Sequence, residues 1–327
     1  MALTFNHQTN SITNATGTVT FNGVAVGGDN SPPVWYGSRG VFSGGGSDNH
    51  AATASNVMDY ISIDTTGNAT DFGDLLAANK DTPAGLSNES RGVFGGGETG
   101  GSVTNVMQYI TVASTGNATD FGDLTAAREK IAAVSNGERG VFGGGTSPVV
   151  NILDYITIAS TGNATDFGDL LAATYYSSGA GGSTRGIFAG GISDNTGIDV
   201  IQYITIATTG NATDFGNLVA ADYGAGGLSN DTRCIFTGGF STGYIDRIQY
   251  ITTATTGNAA DFGDLTLARG RSAGVANGTR GVFGGGVQVG NSTVNNMDYI
   301  TIANTGNATD FGDLTLARAN LAGLSGT

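Results

Sequence analysis

Six tandem copies of one sequence unit constrain this chain more than any other feature. Arg-Gly-Val-Phe begins at Arg39, Arg91, Arg139 and Arg280, and recurs as Arg-Gly-Ile-Phe at Arg185 and Arg-Cys-Ile-Phe at Arg233. Each copy passes through a glycine pair to a Tyr-Ile, at Tyr60, Tyr109, Tyr155, Tyr203, Tyr250 and Tyr299. An Asp-Phe-Gly follows, at Phe72, Phe121, Phe167, Phe215, Phe262 and Phe311. The period is about 48 residues, within the range of propeller-blade repeats. Each unit reads as four strands: a small apolar one such as Ala132-Ala133-Val134, then Arg-Gly-Val-Phe, then Tyr-Ile, then Asp-Phe-Gly-Asp-Leu. In the second and third strands both side-chain parities are largely apolar, as in strands covered on both faces. Blades stacked around a ring provide that environment and leave only short edges. The expected architecture is therefore all-β, a six-bladed propeller of four-stranded blades.

Composition agrees with a repeat rather than with low complexity. The 56 glycines fall at fixed repeat positions, where turns and close backbone approach are needed. Charged residues are 12% of the chain and the formal net charge is −14. That balance argues against nucleic acid and against anionic membrane surfaces, because both must be met by Lys and Arg. The single cysteine, Cys234, replaces the repeat glycine in an apolar strand and reads as a small buried residue. No signal peptide is expected from a start that lacks a basic segment and an apolar run. No apolar run is long enough for a membrane-spanning helix.

Residues 1–31 lie outside the repeat and read as a small N-terminal β-hairpin with a linker, an attachment module for the propeller of residues 32–327. Leu3-Thr4-Phe5 and Thr18-Val19-Thr20-Phe21 alternate like strands, and Asn22-Gly23 is a turn signal. The stretch from Leu314 to Gly326 repeats the lead-in to a new first strand. It and Val34-Trp35-Tyr36 compete for the first strand of blade one.

The strand order resembles the kelch repeat, a β-propeller family. Phe94-Gly95-Gly96-Gly97 stands at the kelch glycine pair, Tyr109 at its Tyr, Phe121 with Leu124 at its Trp and Leu, and Arg128 at its final Arg. Phe replaces Trp in all six copies, and the final Arg occurs at Arg128, Arg269 and Arg318.

Each repeat pairs its arginine with an aspartate before Phe: Asp71, Asp120, Asp166, Asp214, Asp261 and Asp310. A half-buried Arg is best satisfied by a bidentate carboxylate, so these two sets are expected to form a structural ion-pair ladder. An arginine ring binding an anion in the channel is the alternative. No catalytic residues, metal site or cofactor are expected. The two histidines, His7 and His50, have no partner pattern, and Asp-Phe-Gly recurs without any kinase motif. The Asp-x-x-Asp pairs (Asp71/Asp74, Asp120/Asp123) lack the loop geometry of a strong Ca²⁺ site. The Asn-Ala-Thr sequences read as turns rather than glycosylation acceptors.

Loops on one propeller face barely vary between repeats; those on the other vary in length and composition. Tyr175, Tyr176, Tyr223 and Tyr244 all fall in variable-face segments around blades four and five. Tyrosine suits recognition because it offers large contact area at low entropy cost; filling gaps beneath loops is the competing role. The Gly-Asn-Ala-Thr-Asp-Phe-Gly-Asp-Leu units resemble repeats of bacteriophage virion structural proteins, and the N-terminal segment is similar to their short attachment modules. That resemblance implies a non-enzymatic virion component, either a tail fibre displaying the propeller for host-surface glycan recognition or a capsid-decorating protein without ligand. A glycan-cleaving propeller enzyme is the remote alternative. Implied partners are other virion proteins through residues 1–31, a host-surface glycan and further copies of the chain in a homo-oligomer.

Overall fold

A computed structural model describes residues 4–6, 11–13, 19–21, 24–26, 37–47, 53–81 and 83–326. The chain divides into two compact units, Met1–Pro32 and Pro33–Thr327. In the first unit Thr4–Asn6 pairs with Ser11–Thr13, and Val19–Phe21 pairs with Val24–Val26. Two short hairpins thus replace the single one expected. Phe21 pairs with Val24 in the second hairpin; the expected turn at Asn22-Gly23 lies outside the described residues.

The second unit is a β-propeller of six four-stranded antiparallel blades, and no helix occurs among the described residues. Blade 2 runs from the inner strand Ala84–Ser87 through Arg91–Gly95 and Val106–Thr111 to the outer strand Thr119–Asp123. Blades 3 to 6 begin at Ala132, Ser178, Gly226 and Ala273 in the same order. Blade 1 closes the ring: Arg39–Ser43, Ser55–Ser62 and Thr70–Asn79 take their inner strand from Ala322–Gly326. The C-terminal segment therefore fills the contested slot; Val34-Trp35-Tyr36 lies outside the described residues.

The hydrophobic core is a set of six wedges between blades. One wedge joins Val41, Met58 and Phe72 of blade 1 to Phe94, Ile110 and Val112 of blade 2, and its equivalents recur around the ring. Inner strands pack against one another at the axis, where a Cβ at Gly85 would stand 2.7 Å from the carbonyl oxygen of Gly323. The small residues of the inner strand thus set the waist of the channel. The glycine of Asp-Phe-Gly answers a second requirement. At Gly73 the backbone has φ 140°, and a Cβ would lie 2.5 Å from the carbonyl oxygen of Gly116 in the next blade.

Cys234 tests the wedge packing. In the other blades the glycine after the repeat arginine faces Leu or Val of the preceding inner strand; at Gly281 a Cβ would lie 2.5 Å from Leu228. Blade 5 has Cys234 instead, and its wedge contains Ala180 where other blades carry Leu or Val. The two changes compensate in volume. Ala180→Leu alone is expected to destabilise by about 1–3 kcal/mol through overpacking. Ala180→Leu with Cys234→Gly restores the ordinary pair and most of that loss. Urea titration of both single variants and the double variant checks this; strictly additive effects would refute it. Burial pushes the Cys234 thiol up to about 12, so the residue is inert packing.

Candidate functional site

The repeat arginines do not pair with the Asp-Phe-Gly aspartates. Among the described residues no ion pair joins Arg39, Arg91, Arg139, Arg185, Arg233 or Arg280 to Asp71, Asp120, Asp166, Asp214, Asp261 or Asp310. The aspartates are exposed on the outer strands, where water already solvates them. Each arginine lies instead over the tyrosine of its own blade, 4.4–4.6 Å from the ring centroid. Its Nη1 donates to a backbone carbonyl of the next blade, as in Arg39 to Val112 at 2.9 Å and Arg280 to Ile63 at 3.1 Å. The tyrosine meets Phe of Asp-Phe-Gly edge-on, with centroids 5.9–6.1 Å apart. The arginines thus staple blade to blade, and their guanidinium groups sit at blade interfaces rather than lining the channel. The turn asparagines staple the same face: Asn117 Oδ1 accepts from the Asp74 backbone N–H at 3.1 Å.

Ion pairing occurs at a different set of positions. Arg128 pairs with Asp154 at 2.7 Å, Arg269 with Asp298 at 3.1 Å and Arg318 with Asp59 at 2.6 Å, all essentially inaccessible to solvent. Burial pulls the three guanidinium pKa values down, while the paired carboxylates oppose that shift. Thr125, Thr266 and Thr315 donate their hydroxyls to the same carboxylates. The other three interfaces have glutamine in place of that aspartate, and at one of them the Gln249 amide also meets the Asp222–Arg247 pair. Gln108, Gln202 and Gln249 stand in the aspartate positions and accept from the backbone N–H of Leu76, Leu171 and Val219, each at 2.8 Å. A signal for this was present in the chain: Asp precedes the repeat tyrosine only where Arg ends the preceding repeat.

The axis is narrow and polar. Its larger cavity, about 140 Å³, is lined by Gly, Ala and Ser of the inner strands together with Leu86, Val134, Leu228, Val275, Leu324 and Asn136. The serine hydroxyls are already bonded: Ser87 donates to the carbonyl of Ser325 at 2.7 Å and Ser135 to that of Ser87 at 2.9 Å. Asymmetry begins at the mouth on the variable face. Asp81, Lys130, Tyr176, Gly224, Arg271 and Asn320 occupy equivalent positions there, all with φ between 57° and 64°. Their backbones link in sequence, each N–H from Lys130 to Asn320 donating to the carbonyl before it at 2.6–3.1 Å. The backbone is a repeat; the six side chains differ.

From this mouth the four tyrosines singled out in the sequence form one continuous arc with Phe240. Centroid separations are 5.8 Å for Tyr175–Tyr176, 6.3 Å for Tyr176–Tyr223, 5.4 Å for Tyr223–Phe240 and 5.2 Å for Phe240–Tyr244. Backbone bridges hold the rings: Tyr175 pairs with Ile192, Tyr223 with Phe240, and Phe240 with Tyr244. Tyr176 is buried under Arg271 and Lys130, whose charges lie 5.1 and 5.5 Å from its ring centroid. Tyr175, Tyr223 and Tyr244 are half-buried. Burial raises the phenol pKa of Tyr176 and Tyr223. Phe240 follows the repeat glycine pair, at a position occupied by Glu98, Thr146, Ile192 and Val287 in other blades, so the repeat pattern alone gives it no aromatic signal.

The equivalent bridge positions carry charge on the side of the mouth that adjoins Tyr176, at Lys80, Glu98 and Glu129. One carboxylate oxygen each from Asp81, Glu98 and Glu129 lies within 4.8 Å of the others. Lys80 contacts Glu98 at 3.1 Å and Lys130 contacts Glu129 at 2.9 Å, so the acids are already met by cations.

Asp222 is a buried carboxyl group beside the arc. It adjoins Tyr223, and burial lifts it from 3.8 to about 6 despite Arg247 at 3.1 Å and Gln249 at 3.0 Å. Because its folded pKa is raised, its contribution to stability is complete below about pH 4 and is lost as pH rises through 6. Asp222→Asn is therefore expected to gain on the parent as pH rises from about 4 to 6, by at most about 3 kcal/mol, and to hold that gain at higher pH. Urea midpoints at pH 4.5, 6 and 8 check this; a difference that does not change with pH would refute it.

No family model matches the chain, and no curated protein matches it.

Proposed function

We propose that the chain is a non-enzymatic structural protein of a bacteriophage particle, with its propeller displayed on a tail fibre or similar appendage to recognise the host surface. The observation that carries this reading is the aromatic arc on the variable face. One face of the ring repeats the same turns and staples in every blade, while the other concentrates five aromatic side chains between blades 3 and 5. Backbone bridges preorganise the arc, which lowers the entropy lost when a ligand binds. The kelch-like strand order and the likeness of the repeats to phage virion sequences support a rigid display element. The unit Met1–Pro32 would attach it to other virion proteins, and display in several copies would multiply weak single-site affinity.

Cryo-electron microscopy of the particle carrying this chain tests the proposal. Density for the propeller on a tail appendage, variable face outward, is the expected result. Density over the capsid lattice would overturn it in favour of decoration.

A further inference from the structure

The arc says where a ligand would lie, and the charge inventory of the whole chain says what kind of ligand it would be. The chain has 13 lysines and arginines. All of them lie among the described residues, and none is exposed. Arg39, Arg91, Arg139, Arg185, Arg233 and Arg280 are the tyrosine-stacked staples between blades. Arg128, Arg269 and Arg318 are sealed in buried pairs. Arg247 is held by Asp222, Lys80 by Glu98, and Lys130 by Glu129. Arg271 packs on Tyr176. Carboxylates, in contrast, face solvent in every blade, including Asp71, Asp120, Asp166, Asp214, Asp261 and Asp310.

A polyanionic ligand needs accessible cations to replace its counterions, and it is repelled by a surface of its own sign. This surface has net charge −14 and commits its cations internally. At the mouth itself the charges balance, with Lys80, Lys130 and Arg271 beside Asp81, Glu98 and Glu129. What the arc offers is apolar ring surface with hydroxyl tips, at intervals of 5.2–6.3 Å. The Tyr223–Phe240 and Phe240–Tyr244 steps, 5.4 and 5.2 Å, are comparable to the advance of one hexose along an extended glycan. The C–H faces of pyranose rings stack on aromatic surface, and sugar hydroxyls hydrogen-bond to phenols and carboxylates without any formal charge.

We infer that the arc binds an uncharged linear glycan, whose successive sugars lie across Tyr175, Tyr223, Phe240 and Tyr244, and that it rejects acidic polysaccharides. This rests on the recognition reading above. The test is the full chain on an array of neutral oligohexosides and oligo-N-acetylhexosamines beside uronate- and phosphate-bearing oligosaccharides, in 0.15 M and 1 M NaCl. Tyr223→Ala and Tyr244→Ala are run in parallel, with their Tm values measured to show that they remain folded. The expected result is binding to a neutral series that strengthens with chain length, changes less than twofold with salt and falls at least tenfold in each variant. Tyrosine-dependent binding strongest for an acidic series and weakened by salt would overturn the inference while leaving recognition intact. Binding to none of the probes, or binding indifferent to both substitutions, would overturn the inference and count against the recognition reading too.

Discussion

Asp154→Ala is expected to destabilise the propeller by about 3–5 kcal/mol, the penalty for leaving a buried charge without its partner. Arg128 would then sit almost inaccessible between two blades, keeping a bond to the Ile152 carbonyl at 3.0 Å but no counter-charge. A loss of that size should lower Tm by roughly 10 °C in a protein of this length. The chain contains its own control. The interface before blade 4 has buried Thr174 and Gln202 at the Arg128 and Asp154 positions, and Gln202 accepts from the N–H of the exposed Leu171 at 2.8 Å. Copying that arrangement as Thr125→Leu, Arg128→Thr and Asp154→Gln should recover most of the loss, because a buried ion pair and a neutral hydrogen-bonded set are often close in energy. Calorimetry of Asp154→Ala and of the triple variant decides between the outcomes. A mild single variant, or a triple variant as unstable as the single, would show that the pair does not work as described.

Removing residues 322–327 is expected to abolish the closed ring. Ala322–Gly326 is the inner strand of blade 1, in register from Ala322 opposite Ser43 to Gly326 opposite Arg39. Its Leu324 is buried in the wedge with Phe94 and Ile110, and the isopropyl group crowds the backbone at Gly92. Deletion would expose the edge of Arg39–Ser43, open that wedge and leave the inner strands of blades 6 and 2 without their neighbour. The combined loss is comparable to the whole stability of a typical domain, about 5–15 kcal/mol. Loss of the cooperative thermal transition, with association through the bared edge on size-exclusion chromatography, is the expected result. A monomer that melts within a few degrees of the intact chain would refute the closure argument.

Much of the architecture was legible because the repeat is local. Alternation, glycine pairs and turns define each blade within about 48 residues, and six copies set the blade number. The gathering of Tyr175, Tyr176, Tyr223 and Tyr244 was legible as well, since strand direction alone assigns their segments to one face. The arginine partners were not. A ladder between the arginine and aspartate sets, within or between blades, requires the aspartates to be buried, and they face solvent. A guanidinium at a blade edge reaches the neighbouring blade more readily, and Arg39 bonds Val112, 73 residues away. Exposed aspartates gain little from a surface pair, whereas an aromatic face and a buried carbonyl both favour the cation.

By itself the sequence determined the strand content, the sixfold repetition, the acidic balance and the face on which variation collects. These follow from short-range pattern and composition. Tertiary structure alone decided that the C-terminal strand closes blade 1, that the cations are committed to blade interfaces, and that Phe240 joins four tyrosines in one arc. Each of those facts is a contact between blades, and the pattern within one repeat does not say which groups its neighbours will present across the wedge.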